Sequence, residues 1–172
     1  MDVLGWKRRL FPIVILMSLT KALSQPSSVC IEDLTWHEVR QKIRTGTTTA
    51  IIFAGSTEQN GSHLALGKHN FISEHVAVQI ARKLGNALVY PILPFAPAGD
   101  PVSRTGHMRY PGTVSLSEDV FSGVVHDVAL SAIAAGFGFV MVMGDHGGGQ
   151  EVLRETAASL DSQYISTGTR VF

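Results

Sequence analysis

Apolar positions along this chain follow two rhythms. Three short runs, Ala50 to Ala54, Ala87 to Tyr90 and Phe139 to Met143, contain no polar residue. Unbroken apolar runs of strand length read as strands buried on both faces, as inside a parallel sheet. Between them apolar residues recur at near-helical spacing: Phe71, Val76, Val78, Ile80, Ala81 and Leu84, then Val120, Val124, Val128, Ala132 and Ala135. Thr35-Trp36-His37-Glu38 has the form of a capping box, so a first helix runs from Trp36 to about Arg44 and stops at Gly46. Asn70 is placed to cap the second helix and Gly85 to end it. Ser117-Glu118-Asp119 starts a third with two acids on its positive end, and Gly136 closes it. A fourth helix is expected over roughly residues 151–161, and Gly168 to Phe172 starts another strand. Strands and helices alternate, which predicts an α/β domain with a mostly parallel central sheet covered by helices on both faces. Because the sequence stops on that apolar strand, the domain reads as incomplete at its C-terminus.

Two polar interruptions carry the chemistry. Residues 55–70 follow the first strand and hold Glu58, Gln59, Asn60, His63 and His69 between glycines. Gly144-Asp145-His146-Gly147-Gly148-Gly149-Gln150 follows the strand ending at Met143. Loops that leave strand ends are where an open α/β sheet builds a site. Mixed oxygen and nitrogen side chains on loops suit zinc, manganese or iron(II), ions that acidify water and polarise carbonyls. The glycine run leaves backbone amides uncovered near a helix start, a place for an anion or oxyanion. A phosphate-binding loop is disfavoured, since neither the Gly-x-Gly-x-x-Gly spacing nor a Gly-Lys-Ser/Thr ending is present. Residues 91–110 form a third feature, a long loop stiffened by Pro91, Pro94, Pro97 and Pro101; loops of that length are usually functional.

Charge and composition narrow the picture. The 172 residues are 45% apolar and 16% charged, enough for one domain with a real core. Basic and acidic residues balance at 14 each, but Lys7, Arg8, Arg9 and Lys21 cluster at the start. The rest is slightly acidic and carries no electrostatic footprint for nucleic acid. Cys30 is the single cysteine, which excludes an internal disulfide and a four-thiolate zinc site. Lys7-Arg8-Arg9, the apolar run Phe11 to Leu19 and Ala22-Leu23-Ser24 have the layout of a signal peptide over 1–24, of secretory or twin-arginine type. The apolar run is too short for stable membrane insertion. The mature domain is then 25–172, exported and periplasmic.

Three segments resemble one known family. Gly55-Ser56-Thr57-Glu58-Gln59-Asn60-Gly61-Ser62-His63-Leu64 resembles the creatininase (creatinine amidohydrolase) pattern G-x-x-E-Q-H-G-x-H-L. Tyr110-Pro111-Gly112-Thr113-Val114-Ser115-Leu116 resembles its F-P-G-T-x-S-L segment, and Gly144-Asp145-His146-Gly147-Gly148 its N-G-H-G-G loop. The resemblance covers about residues 33–172. It implies a three-layer α/β/α fold, a divalent-metal amidohydrolase acting on non-peptide C–N bonds of small molecules, and a homo-oligomer. Glu58 and His146 keep their types at metal-ligand positions. Asn60 stands where the family has a histidine ligand, His69 where it has a metal-bridging aspartate, Asp145 where it has glycine, and Gly148 where creatininase has glutamate.

These departures lead to an expectation of one metal held by Glu58, His69 and His146, with Asp145 as a fourth ligand or base. Asn60 is retained as a weak oxygen ligand or oxyanion donor. His63 is expected to orient a ligand by hydrogen bonding or to bind metal itself. His107, just before the Pro-Gly-Thr turn, is a second candidate to pass a proton to the leaving nitrogen. Arg104 and Arg109 are placed to meet an anionic substrate or are surface charges, and His37, His75 and His126 read as solvated or packed. The rival to an amidohydrolase is a non-catalytic small-molecule-binding protein whose altered ligands mark a lost site.

Overall fold

The computed structural model describes residues 28–172. The signal-peptide expectation for 1–24 lies outside the described residues. Four strands form one parallel sheet in the order β2-β1-β3-β4: β1 (Thr49–Ala54), β2 (Ala87–Val89), β3 (Phe139–Gly144) and β4 (Arg170–Val171). Every residue of β1 is buried, as its unbroken apolar run requires. It pairs in register with β2 from Thr49↔Ala87 and with β3 from Thr49↔Phe139 to Ala54↔Gly144.

Helices cover the sheet: α1 (Trp36–Arg44), α2 (Lys68–Leu84), α3 (Glu118–Ala135) and α4 (Gln150–Tyr164). One buried cluster joins Ile52, Leu88 and Val140 to Ala129, Ala132 and Leu160. Another joins Ile51, Phe53 and Val89 to Ala77 and Ala81, with Met141 and Met143 half-buried against it. The α/β expectation holds, with a parallel sheet flanked by helices. Thr35 and Glu38 make the expected reciprocal capping box. Ser117 caps α3 by accepting from Val120 N, and Gly85 and Gly136 terminate α2 and α3 in the left-handed conformation.

Two details differ from the pattern. Asn70 does not cap α2; the helix starts at Lys68, and the Asn70 amide instead donates to Thr57 Oγ1 at 3.0 Å. That earlier start brings His69 into the first helical turn. The buried stripes are also displaced. On α2 they are His69, Ser73, Ala77 and Ala81, while Phe71 and Leu84 are exposed. On α3 they are Phe121, Val125, Ala129 and Ala132, while Val120 and Val124 face outward. Both helices carry apolar side chains on several sides, so spacing alone selects no face. On α2, small residues at steps of four let the helix lie close to the sheet.

The topology places the site. From β1 the chain passes through α2 to β2 on one side, then returns through α3 to β3 on the other. The C-terminal ends of β1 and β3 therefore flank the point where strand order reverses, which opens a crevice in such sheets. The proline-rich segment crosses there as ordered backbone: Leu93 N donates to Phe53 O, Gly55 N to Leu93 O, and Ala98 N to Ser115 Oγ. Strand β4 is tied to α4 by Arg170, whose Nε donates to Asp161 Oδ1 at 2.8 Å, while Val171 N donates to the same oxygen at 2.8 Å. Among the described residues no helix is long and apolar enough to cross a membrane.

Candidate metal centre

Glu58 is 2% exposed, an unusual position for a carboxylate. It leaves β1 on a loop closed by Glu58 N donating to Leu66 O at 3.0 Å. Among the described residues its one hydroxyl donor is Ser56 Oγ, 3.1 Å from Oε2. The other neighbours are imidazoles. His146 Nε2 lies 2.7 Å from Oε2, His69 Nε2 3.3 Å from Oε1, and His107 Nδ1 3.7 Å from Oε1.

The far nitrogens of two rings show what these near atoms are. His69 Nδ1 is 2.6 Å from Asp145 Oδ2, and His146 Nδ1 is 3.1 Å from the Gly148 carbonyl oxygen. Both partners are oxygen acceptors, so both Nδ1 atoms carry hydrogen. In the neutral rings each Nε2 is then a lone pair. With both rings neutral, two lone pairs would face opposite oxygens of one buried carboxylate, an arrangement that a proton or a shared cation satisfies. Burial holds His146 below its ordinary pKa, an effect that exceeds the upward pull of Glu58 and favours the neutral ligand form. The donor set, one carboxylate and imidazoles, fits a divalent transition ion. Glu58, His107 and His146 each offer an atom within 4.8 Å of the others. His69 approaches the carboxylate from the side of Asp145.

The scaffold around these groups uses each of the three sequence segments. Gln59 is clamped at three points: its N donates to Thr113 Oγ1 at 3.2 Å, its Oε1 accepts from Gly61 N at 3.0 Å, and its Nε2 lies 3.1 Å from His107 Nδ1. Val114 N donates to Thr57 O at 2.9 Å. The Pro-Gly-Thr segment is thus the strap that holds the Glu58 loop. Gly112 is needed at its turn because its backbone is left-handed, at φ 88°, a conformation that residues with a Cβ rarely adopt. The loop after β3 is held by Gln150, whose Nε2 donates to Gly144 O at 3.0 Å and to His146 O at 2.7 Å.

Glu58, His69, His107, Asp145 and His146, expected from the sequence, come together. Asn60 and His63 do not join them. Asn60 Nδ2 donates to the Glu58 carbonyl at 2.9 Å, so its amide is turned onto its own loop. His63 is exposed, and among the described residues no hydrogen bond links its ring to Glu58, His69 or His146. Gly148, where creatininase has glutamate, is closed to any side chain. A Cβ there would collide with the Pro97 carbonyl and approach His146 Cε1 to 2.5 Å. Arg104 and Arg109 are exposed, as are His37 and His75. The sequence reading missed Thr113, Ser56 and Gln150 as supports. Thr113 carried the one available signal, since its segment belongs to the resemblance.

A parallel α/β domain with a buried carboxylate among imidazoles at the strand switch point defines an α/β protein with a candidate metal centre. The chain belongs to the creatininase family, whose model, creatinine amidohydrolase, matches residues 32–171. It is 28% identical over 119 residues to the creatinine amidohydrolase of Pseudomonas putida, covering 69% of this chain and 45% of that protein. It is 25% identical over 126 residues to the 3-dehydro-scyllo-inosose hydrolase of Thermotoga maritima, covering 73% of this chain and 38% of the relative. The chain therefore spans less than half the length of either relative. A solved creatinine amidohydrolase shares the fold at TM-score 0.73 and 24% identity over 86% of this chain and 56% of that one. Creatininases described as Zn-Zn type and as Mn superpose equally well, each at TM-score 0.73.

Proposed function

We infer that this chain is a metal-dependent hydrolase that cleaves a carbon–nitrogen bond in a small cyclic or linear amide. One divalent ion, zinc, manganese or iron, would be held by Glu58, His69 and His146. The observation that carries this reading is the buried Glu58 carboxylate with the Nε2 atoms of His146 and His69 lying 2.7 and 3.3 Å from its two oxygens. When bound, such an ion supplies an acidified water and a Lewis acid for a carbonyl oxygen. The chain's own residues do the rest. Glu58 brings the negative charge that keeps a cation in a buried site, and Ser56 fixes the rotamer of that carboxylate. Gly148 O and Asp145 fix the tautomers of His146 and His69. His107 is the most exposed imidazole of the group and sits at its rim, with 37% of its side chain accessible. It is placed to pass a proton to the leaving nitrogen, and Gln59 orients it.

With the leader-like segment 1–24, the reading extends to an exported, periplasmic enzyme. It also extends to a homo-oligomer that would cover outward apolar side chains such as Trp36, Phe71 and Val120.

The test is hydrolysis itself. Purified protein loaded with zinc, manganese or iron(II) is assayed against lactams, cyclic ureides and linear amides for released amine or ring-opened acid. Turnover that depends on the metal and is lost in His146→Ala is expected. A folded, metal-loaded protein with no turnover on any amide class contradicts it.

A further inference from the structure

We propose that Asp145 is a positioning residue that acts through His69, and not a ligand or a base in its own right. This rests on the metal-centre reading above and assigns one residue's part in it. Asp145 and His69 are 76 positions apart, yet Oδ2 and Nδ1 meet at 2.6 Å, the shortest contact that either side chain makes. A carboxylate accepting from Nδ1–H leaves the His69 lone pair on Nε2, 3.3 Å from Glu58 Oε1. The same carboxylate fixes the ring plane and the tautomer, as outer carboxylates do for histidine ligands.

Position decides between this role and direct ligation. Asp145 reaches the far edge of the His69 ring, so the imidazole stands between its bonded oxygen and Glu58. Its side chain is also 28% exposed, whereas those of Glu58 and His69 are 2% and 11% exposed. The backbone holds it there. Asp145 N donates to Ala54 O at 3.1 Å, which pins the residue to the end of β1, while the first turn of α2 presents His69. His146 obtains the same service from a neutral carbonyl, Gly148 O at 3.1 Å. The two imidazoles are therefore prepared alike, one by a carboxylate from another strand end and one by its own loop.

The experiment is a double-mutant cycle on cobalt(II) affinity in the full chain, using Asp145→Ala, His69→Ala and the pair, with chelator competition as the readout. Asp145→Ala is expected to weaken cobalt about 10- to 100-fold, the range for outer-shell partners. The double variant should bind no more weakly than His69→Ala alone, because Asp145 has nothing to act through once His69 is gone. Asp145→Asn keeps an acceptor oxygen and should recover most of the affinity. The downfield Nδ1–H resonance of His69 should vanish in Asp145→Ala. Additive losses across the cycle, or an unchanged cobalt d–d spectrum in His69→Ala with a shifted one in Asp145→Ala, would make Asp145 a ligand and overturn the proposal. Failure of the unsubstituted chain to take up cobalt would overturn the hydrolase reading with it.

Discussion

The two loops that build the centre are held in different ways. The loop after β3 is held locally at His146: Gln150, at the start of α4, donates to Gly144 O and His146 O within six positions of itself, while Asp145 N ties the loop's start to Ala54 O. Its glycines let the chain turn where side chains would strike Phe121, Leu153 and Pro97. The loop after β1 depends on distant partners. Thr113 grips Gln59 from 54 positions away, Thr57 Oγ1 donates to Pro94 O, and Asp145 steadies His69 from 76. One ligand is thus delivered by local geometry and the others by long-range ties. Damage to remote residues should reach Glu58, His69 and His107 before it reaches His146.

The largest effects should come where the loops meet. Glu58→Ala leaves the imidazole nitrogens without their negative partner. It should abolish metal retention on a chelating column, a loss well beyond the roughly 100-fold typical of outer partners. Retained metal would mean that Glu58 is only a buried structural carboxylate. His146→Ala should do the same from the other loop.

Next comes the test of the loop after β3. Gly148→Ala places a methyl against the Pro97 carbonyl and the His146 ring, so overpacking should cost about 1–3 kcal/mol in chemical denaturation and weaken metal binding. An unperturbed variant would show the loop to be looser than its contacts require. On the other side, Thr113→Val removes the hydroxyl that accepts from Gln59 N. A loss of about 0.5–1.5 kcal/mol is expected, with reduced turnover but nearly unchanged metal content, since the clamp reaches the ion only through the loop. A change in metal content as large as that in His146→Ala would erase the distinction between the loops.

A smaller effect follows from pH. Burial lowers the His146 pKa from its ordinary value of 6.5, so below that pH the unfolded chain binds this proton and the folded chain resists it. Metal-free stability should therefore fall as pH drops below about 6.5 and stop falling, for this group, under the lowered folded value. His146→Gln should show a shallower slope over the same interval; equal slopes would mean that the imidazole is not held neutral by its site. The smallest effect belongs to Asn60→Ala, which removes a bond to its own loop and should leave metal affinity unchanged within twofold.

The strands and helix ends were legible because local chemistry sets them: an unbroken apolar run at Ala50 to Ala54, a capping box at Thr35 and Glu38, and glycines at 85 and 136. Helix faces were not, since Val120 and Val124 are as apolar as Val125 and only packing on the sheet distinguishes them. In the site, Glu58, His69 and His146 were readable as residue types at strand ends. Their tautomers were not, because these depend on what lies behind each ring. Nor was the strap formed by Thr113, whose hydroxyl has meaning only once the proline-rich segment has crossed the sheet end.

The central claim is that Glu58 and the facing imidazoles hold one divalent ion. Elemental analysis of the chain, purified without chelator beside His146→Ala, tests it most directly. About one transition-metal ion per chain, absent from the variant, is the predicted result. Two ions per chain, or a folded protein that accepts neither zinc nor manganese, would contradict it.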